Sequence, residues 1–185
     1  MNSCKDIFTA RLRLITITPD LMHIEAAILR ELLRVEVPSC WPPEHWEPHV
    51  FDFMKQHFRQ APKAATWTRY VVLRAEAPVL IGTVGGFLRT ETEAEVGYGI
   101  LPPWQRQGLA TEGTLALMDL IFQDDLIESI SAQTYLHLTA SLRVMEKCGF
   151  APAGEGDEPG TVRYRLTRPM PSPAATPDLT RPRPA

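Results

Sequence analysis

The sequence contains few cysteines and no long apolar run. Its 185 residues include only Cys4, Cys40 and Cys148, none in a C-x-x-C spacing, so neither a disulfide framework nor a cysteine-based zinc site is indicated. No apolar stretch approaches the ~20 residues that cross a bilayer. The first residues also lack the apolar segment and small-residue cleavage site of a secretory signal. These absences predict reduced thiols, a cytoplasmic location and no membrane partner.

The sequence also lacks an excess of positive charge. Its net charge of −3 and pI near 6.0 argue against a nucleic-acid partner, because such proteins usually carry a basic patch or domain. The histidines at 45, 49 and 57 have a spacing that could suggest metal ligands. However, Pro48 interrupts the first pair and no H-E-x-x-H motif is present, so we expect no metal site.

The last residues differ in composition from the rest of the chain. From Arg168 onward the sequence is rich in proline and has almost no large apolar side chains. Such a segment cannot bury enough surface to offset its ordering entropy. We therefore predict one folded domain at residues 1–167 and a disordered tail at 168–185.

Hydrophobic periodicity within the domain predicts a mixed α/β fold. The expected order is β-α-α-β-β-β-α-β-α-β-β. The predicted strands are 11–17, 66–74, 79–88, 93–101, 127–135, 150–152 and 161–166, and the predicted helices are about 19–34, 47–60, 110–122 and 139–148.

A polar loop, LPPWQRQGLATEG at 101–113, precedes the third predicted helix. The start of a helix offers unpaired N–H donors and a partial positive charge, both of which suit a phosphate. Gly108 would let a ligand approach the backbone, and Arg106 could add a charge-assisted contact. The P-loop and dinucleotide motifs are both absent. From the loop alone, an ordinary polar connection remains an equal alternative.

Four separated segments resemble the GNAT N-acetyltransferase superfamily. The QRQGLA stretch at 105–110 resembles its Q/R-x-x-G-x-G/A signature, and EVGYGILPPWQ before it resembles strand four of that fold. TASLRVMEKCGF at 139–150 is similar to the N-x-x-S-x-x-x-x-E-K-x-G-F segment. The opening TARLRLITITPD at 9–20 resembles the ribosomal-protein N-terminal acetyltransferase subgroup. The resemblance covers residues 7–167 in the same order.

This resemblance implies a GNAT fold, with a mixed, mostly antiparallel sheet flanked by helices and a splayed strand at the coenzyme site. It implies that acetyl-CoA is the co-substrate and that a primary amine attacks the thioester directly. Tyr98, Gly99 and Ile100 would line the pantetheine arm, with an N–H near Tyr98 as the oxyanion donor. The diphosphate would be held by Arg106, Gln107, Gly108, Leu109, Ala110 and Thr111.

The catalytic groups implied by the resemblance are less complete. Glu95 is our candidate general base; the alternative is a solvated strand residue or a structural ion-pair partner. Ser141 could bond the thiol or cap the short helix, and the cap is the favoured interpretation. Three positions depart from the family pattern, with Leu138 in place of asparagine, Met145 in place of a tyrosine acid and Gln133 in place of a glutamate base. Tyr135 and His137 are secondary candidates.

The acceptor side is predicted only in outline. Trp41, His45 and Trp46 lie in a segment that would shape the acceptor pocket, with core packing as an equal alternative. The acceptor would be a protein N-terminus or a small-molecule amine, and the enzyme a monomer or homodimer. The main alternative is a catalytically silent acyl-CoA-binding or interaction module on the same fold. A phosphate-loop protein unrelated to CoA is the third hypothesis.

Overall fold

The structure, a computed structural model, describes residues 5–21, 24–43, 48–62 and 64–168. The observed order of elements confirms the predicted one and adds a short first strand. The strands are β1 Ile7–Phe8, β2 Leu12–Thr16, β3 Arg69–Leu73, β4 Val79–Leu88, β5 Glu93–Ile100, β6 Ser129–Tyr135, β7 Ala151–Glu155 and β8 Thr161–Thr167. The helices are α1 Ala26–Leu33, α2 Pro48–Gln60, α3 Leu109–Ile121 and α4 Thr139–Lys147, with short 3-10 turns at Pro19–Leu21, Ala64–Trp67 and Pro102–Trp104.

The eight strands form one sheet in the order β1-β2-β3-β4-β5-β6-β8-β7. All neighbours are antiparallel except β5 and β6. This parallel pair includes only Glu93–Glu95 of β5 with residues 129–131 of β6. The remaining residues of β5 have no partner on β6, so the two strands separate and an opening forms in the middle of the sheet. The predicted mixed, mostly antiparallel sheet with a splayed strand is thus confirmed.

The sheet is covered on both faces by separate hydrophobic cores. Leu117 and Ile121 of α3, together with Met145 of α4, pack against one face. On the other face, Leu29 and Leu33 of α1 pack in a second core. Alternation of side chains along each strand sends successive residues to opposite faces. Burial of each large aliphatic side chain contributes roughly 1.5–3 kcal/mol, so both helical layers are held chiefly by apolar packing.

The end of the last strand is anchored to the connection after α3. The Arg168 guanidinium donates hydrogen bonds to the carbonyl oxygens of Phe122, Asp124 and Ile127. It also lies over the Phe122 ring, 5.1 Å from its centroid. The rest of the predicted tail lies outside the described residues. Within the described ranges, no helix is both long and apolar enough to cross a membrane.

Candidate functional site

The opening between β5 and β6 exposes strand edges to a ligand. On its other side β5 pairs with β4 as far as Ile100, opposite Gly82. β6 pairs with β8 along its whole length, ending with Tyr135 opposite Thr161. Among the described residues, the two edges that face the opening therefore have no strand partner beyond Glu95 on β5 and Ser131 on β6. Unpaired strand edges can hydrogen-bond an extended chain of amides.

The predicted phosphate loop, residues 106–111, lies where β5 leads into α3. Arg106 and Gly108 both have a left-handed backbone, with φ of 61° and 78°. Across the described ranges, no hydrogen-bond acceptor is found for the backbone N–H groups of residues 106–111. Leu109 is buried in the core, so that residue offers the site its backbone alone. The loop thus presents a series of free N–H donors beside the positive end of the α3 dipole, which fits a diphosphate.

Hydrogen bonds from Thr9 and Arg11, which precede β2, support this loop through the first turn of α3. Glu112, in the first turn of α3, accepts hydrogen bonds from the Thr9 hydroxyl at 2.6 Å and from the Arg11 backbone N–H at 2.8 Å. The Arg11 Nε forms an ion pair with the same carboxylate at 2.6 Å. Burial opposes the charge, but these bonds hold the pKa of Glu112 below its usual value. The role of Arg11 was not predicted, because no local sequence pattern indicates a partner 101 positions away.

Tyr98 connects β5 to α4 beside the opening. Its hydroxyl donates a 2.9 Å hydrogen bond to the carbonyl oxygen of Ser141. Burial raises the pKa of Tyr98 above its ordinary value, and the nearby Cys148 adds to this effect. Tyr98 is therefore a neutral hydrogen-bond donor at physiological pH, and its side chain packs against the core beneath α3 and α4.

Ser141 does not cap α4, so the interpretation favoured from the sequence is wrong. The N-cap residue is Leu138, and no side chain makes a capping hydrogen bond there. Ser141 is the third residue of the helix, where its own N–H already bonds the Leu138 carbonyl oxygen at 2.9 Å. Within the described ranges, the half-buried Ser141 hydroxyl has no hydrogen-bond partner, so it is available to a ligand.

Glu95 lies on the opposite face of the sheet from Ser141. Only 5% of its surface is exposed, so the solvated alternative is wrong. One carboxylate oxygen accepts a hydrogen bond from Arg89 and the other from Gln133, each at 2.8 Å. The ion-pair alternative is thus present in the structure. Glu95 is also the last residue of β5 that pairs with β6, which places it where the opening begins.

The cluster around Glu95 extends to the turn between β7 and β8. The Asp157 carboxylate accepts hydrogen bonds from Arg89 at 2.6 and 2.7 Å and forms an ion pair with Arg163 at 2.7 Å. These two arginines and Gln133 hold the pKa of Asp157 well below its usual range. Three strands and two turns of the fold therefore contribute to one network, in which two arginines balance two carboxylates.

Gln133 connects the two carboxylates of this network. Its amide nitrogen donates to Glu95 at 2.8 Å and to Asp157 at 3.0 Å, and its amide oxygen accepts the Asp157 N–H at 2.8 Å. A glutamate at this position could not donate when ionised. The departure from the family's glutamate thus has a structural consequence, since only the amide satisfies all three partners.

Small residues line the same face of the sheet beside Glu95. In the β4–β5 pair, Gly85 lies opposite Gly97, and Thr83 lies opposite Gly99. Gly97 is exposed, and a Cβ built on it would meet no atom within 4 Å. Gly85, Gly97 and Gly99 thus form a glycine surface next to the opening, where a substrate has space to approach the strands closely.

The three predicted acceptor residues are only partly described. Trp41 packs edge-on against Tyr70, with ring centroids 5.7 Å apart, and belongs to the second core. Core packing is therefore part of its role. His45 and Trp46 lie outside the described residues. Nor does any group of three or more possible metal ligands occur in the ranges that the structure describes.

Comparison with known families assigns the fold and its chemistry. A family model described as an acetyltransferase (GNAT) domain matches residues 11–151, which is most of the chain. The chain belongs to the GNAT acetyltransferase family. It is accordingly an acetyl-CoA-dependent acyltransferase. No protein of curated function matches the sequence.

Solved structures share the fold of this GNAT acetyltransferase. A putative ribosomal-protein-serine acetyltransferase from Vibrio cholerae is 19% identical, with a TM-score of 0.62 over 90% of this chain and 99% of that one. A ribosomal-protein alanine acetyltransferase from Vibrio fischeri is 18% identical, with a TM-score of 0.60 over 88% and 96%. RimL, a ribosomal-protein acetyltransferase in complex with coenzyme A, is 14% identical, with a TM-score of 0.61 over 88% and 98%. At these identities, the similarity to the three structures concerns the fold alone.

Within this GNAT acetyltransferase, the predicted site residues divide between two places. Residues 98–100 form the end of β5, and residues 106–111 lie at the start of α3, just beyond the turn at Pro102–Trp104. Ser141 flanks these residues on the helical side, whereas Glu95 flanks the opening on the glycine side. The Arg89, Asp157 and Arg163 contacts were not predicted, since no local sequence pattern indicates a network drawn from three strands and two turns.

Proposed function

We propose that this enzyme transfers the acetyl group of acetyl-CoA to a primary amine, which attacks the thioester directly. The observation that carries this proposal is the opening between β5 and β6, because it joins two chemically different faces of the sheet. One face carries the phosphate loop and Ser141. The other carries Glu95 and the glycine surface. A donor on one face and an acceptor on the other would meet at the opening.

The donor half of the site would use mainly backbone groups. The free N–H groups of residues 106–111 suit the diphosphate, and Arg106 is exposed and able to approach a phosphate oxygen. The unpaired edge of β5 at residues 98–100 would hold the amides of the pantetheine arm. A backbone N–H near Tyr98 would stabilise the oxyanion, as expected for acyl transfer in a site with preorganised donors.

The acceptor half would have to provide a neutral amine. An α-amino group has a pKa of about 8 and a lysine side chain about 10.4, so the amine must lose a proton before or during attack. We assign Glu95 as the group that receives it. Each of its oxygens accepts one hydrogen bond from the protein. A carboxylate offers about four lone-pair sites, so sites remain for a water or for the amine itself.

The leaving thiolate would form on the Ser141 side. The Ser141 hydroxyl has no partner within the described ranges and could donate a hydrogen bond to the sulfur. Met145, at the position of the family's tyrosine acid, is buried in the core with 2% exposure. That residue cannot transfer a proton, so stabilisation of the thiolate would depend on Ser141.

The acceptor class is a protein N-terminus or a small-molecule amine. The ribosomal-protein acetyltransferases among the structures of the same fold support the first. Trp41, His45 and Trp46 are proposed to border the acceptor pocket. A monomer or homodimer acting in the cytoplasm is consistent with the composition. The rival proposal, a silent acyl-CoA-binding module, is favoured by Met145 and Gln133 standing where the family has its acid and base.

A turnover assay separates these two functions. Purified protein is mixed with acetyl-CoA and a panel of N-terminal peptides and small amines, and release of the free CoA thiol is recorded. Thiol release that depends on one class of amine supports the transferase. Tight binding of acetyl-CoA, measured by calorimetry, without thiol release on any amine would support the silent module.

A further inference from the structure

Arg11 immediately precedes β2, and its side chain bonds residues about a hundred positions away. Its guanidinium binds two acceptors on different segments, with Nε on the Glu112 carboxylate at 2.6 Å and Nη1 on the Gln107 carbonyl oxygen at 2.9 Å. Its third nitrogen, Nη2, lies 3.6 Å from where a Cβ on Gly108 would stand. Arg11 is therefore in contact with the phosphate loop itself.

The contact with Gln107 determines how the next peptide group is oriented. In a planar trans peptide, the carbonyl of one residue and the N–H of the next point in opposite directions. The Gln107 carbonyl is held towards Arg11, so the Gly108 N–H is directed to the other side of the loop. That N–H has no hydrogen-bond acceptor within the described ranges.

The Gln107–Gly108 peptide needs such a support because, among the described residues, only Arg11 makes a hydrogen bond to it. Gly108 has a left-handed φ of 78°, and glycine has little intrinsic preference between left-handed and right-handed conformations. No side chain caps the start of α3. The peptide between Gln107 and Gly108 could thus rotate unless its carbonyl were bonded.

We propose that Arg11 is a positioning residue for coenzyme binding, which holds the Gln107 carbonyl so that the Gly108 N–H faces the diphosphate. This inference rests on the proposed function of residues 106–111 as the phosphate loop. The role depends on the forked shape of the guanidinium rather than on its charge, because Glu112 neutralises that charge. Only an arginine can bind a carboxylate and a carbonyl at once through fixed, coplanar nitrogens.

The test compares dissociation constants for two probes, coenzyme A and pantetheine, which lacks the diphosphate and the nucleotide. The variants are Arg11→Gln and Arg11→Lys. Arg13→Gln is the matched control, because Arg13 lies two residues further along the chain, on β2, and has a 2.6 Å ion pair of its own with Asp6. Each sample is checked by thermal denaturation. Both probes are measured on the same sample, so the ratio of the two constants does not depend on the folded fraction.

We expect Arg11→Gln to weaken coenzyme A binding about 10- to 100-fold, the factor for one hydrogen bond to a charged group. Pantetheine binding should not change. Arg11→Lys should resemble Arg11→Gln, and Arg13→Gln should resemble the unmodified protein. In addition, the Gly108 amide resonance should shift when inorganic diphosphate is added to the unmodified protein, and the shift should be lost in Arg11→Gln.

Three results would overturn the inference. These are full coenzyme A affinity in Arg11→Gln, equal weakening of both probes, and complete rescue by lysine. A failure of the proposed phosphate loop is distinguishable from these. In that case the unmodified protein itself would bind coenzyme A no more tightly than pantetheine, and its Gly108 amide would not respond to diphosphate.

Discussion

Replacement of Gln133 by glutamate tests the carboxylate network most directly. Some members of the family are expected to use a glutamate base at this position, so Gln133→Glu could be expected to improve catalysis. The structure predicts the opposite. The Gln133 amide nitrogen lies 2.8 Å from a Glu95 oxygen and 3.0 Å from an Asp157 oxygen. An ionised carboxylate there would be repelled by the Glu95 and Asp157 carboxylates and could donate no hydrogen bond to either.

The size of the effect follows from the cost of protonation. The introduced carboxyl can avoid repulsion by binding a proton, which costs about 3.7 kcal/mol at pH 7 for an ordinary glutamate pKa of about 4.3. Rotation of the side chain into solvent would reduce that cost, but the hydrogen bond to buried Glu95 would still be lost, at about 1.5–3 kcal/mol. We therefore expect a loss of roughly 2–4 kcal/mol in the free energy of unfolding at pH 7.

The loss should depend on pH in a defined direction. Like charges raise the folded-state pKa of the introduced carboxyl above its unfolded value. The variant therefore regains stability relative to the unmodified protein as pH falls, by up to about 1.4 kcal/mol per pH unit between the raised pKa and about 4.3. Above the raised pKa, the difference in free energy of unfolding between the two proteins should no longer change with pH.

Urea denaturation of both proteins at several pH values between 5 and 8 measures this difference. Gln133→Met is the matched control, because it removes the same hydrogen bonds without adding a charge and its loss should not vary with pH. An equal loss for Gln133→Glu at pH 5 and pH 8 would refute the electrostatic reasoning. So would a gain in acetyl transfer, which would make the position a working base rather than a structural bridge.

Three further substitutions test separate parts of the site. Gly108→Val should raise the dissociation constant for coenzyme A at least about tenfold, since valine resists a left-handed φ; calorimetry showing unchanged affinity in a folded variant would exclude the loop from the coenzyme site. Tyr98→Phe should lower the free energy of unfolding by about 0.5–1.5 kcal/mol, through loss of one hydrogen bond to α4, and denaturation curves that coincide with the parent's would contradict this. Glu95→Gln should reduce kcat by about 100-fold or more at saturating acceptor if Glu95 is the base. Glu93→Gln, a buried ion-paired glutamate on the same strand and face, is its control, and equal rates for the two variants would remove Glu95 from catalysis.

The elements predicted from the sequence match the structure closely where their signals are local. β4 has the predicted limits, and α4 begins at Thr139 and is followed by the expected left-handed Gly149, with a φ of 87°. These features depend on side-chain alternation, helical period and the freedom of glycine, all of which are encoded in adjacent residues. β1 was missed, because its two residues are too few to show a period.

The errors concern residues whose role depends on distant neighbours. Ser141 was assigned as a cap from its residue type, but α4 begins two residues before it. A solvated strand residue was one predicted alternative for Glu95, but its carboxylate is buried and hydrogen-bonded to Arg89 and Gln133. In both cases a side chain's environment had to be known, and alternation along one strand does not reveal what other strands place beside it.

The sequence by itself determined the family, the order of the elements and the loop at residues 106–111. That loop is local, since a turn, a glycine and the start of a helix follow one another in the chain. The tertiary structure decided what surrounds it and what lies across the sheet from it. Arg11 reaches Glu112 across 101 positions, and Arg89 reaches Asp157 across 68. Such contacts form only when the sheet brings remote segments together, so the loop predicted to bind the coenzyme could be located in the sequence and the carboxylate network could not.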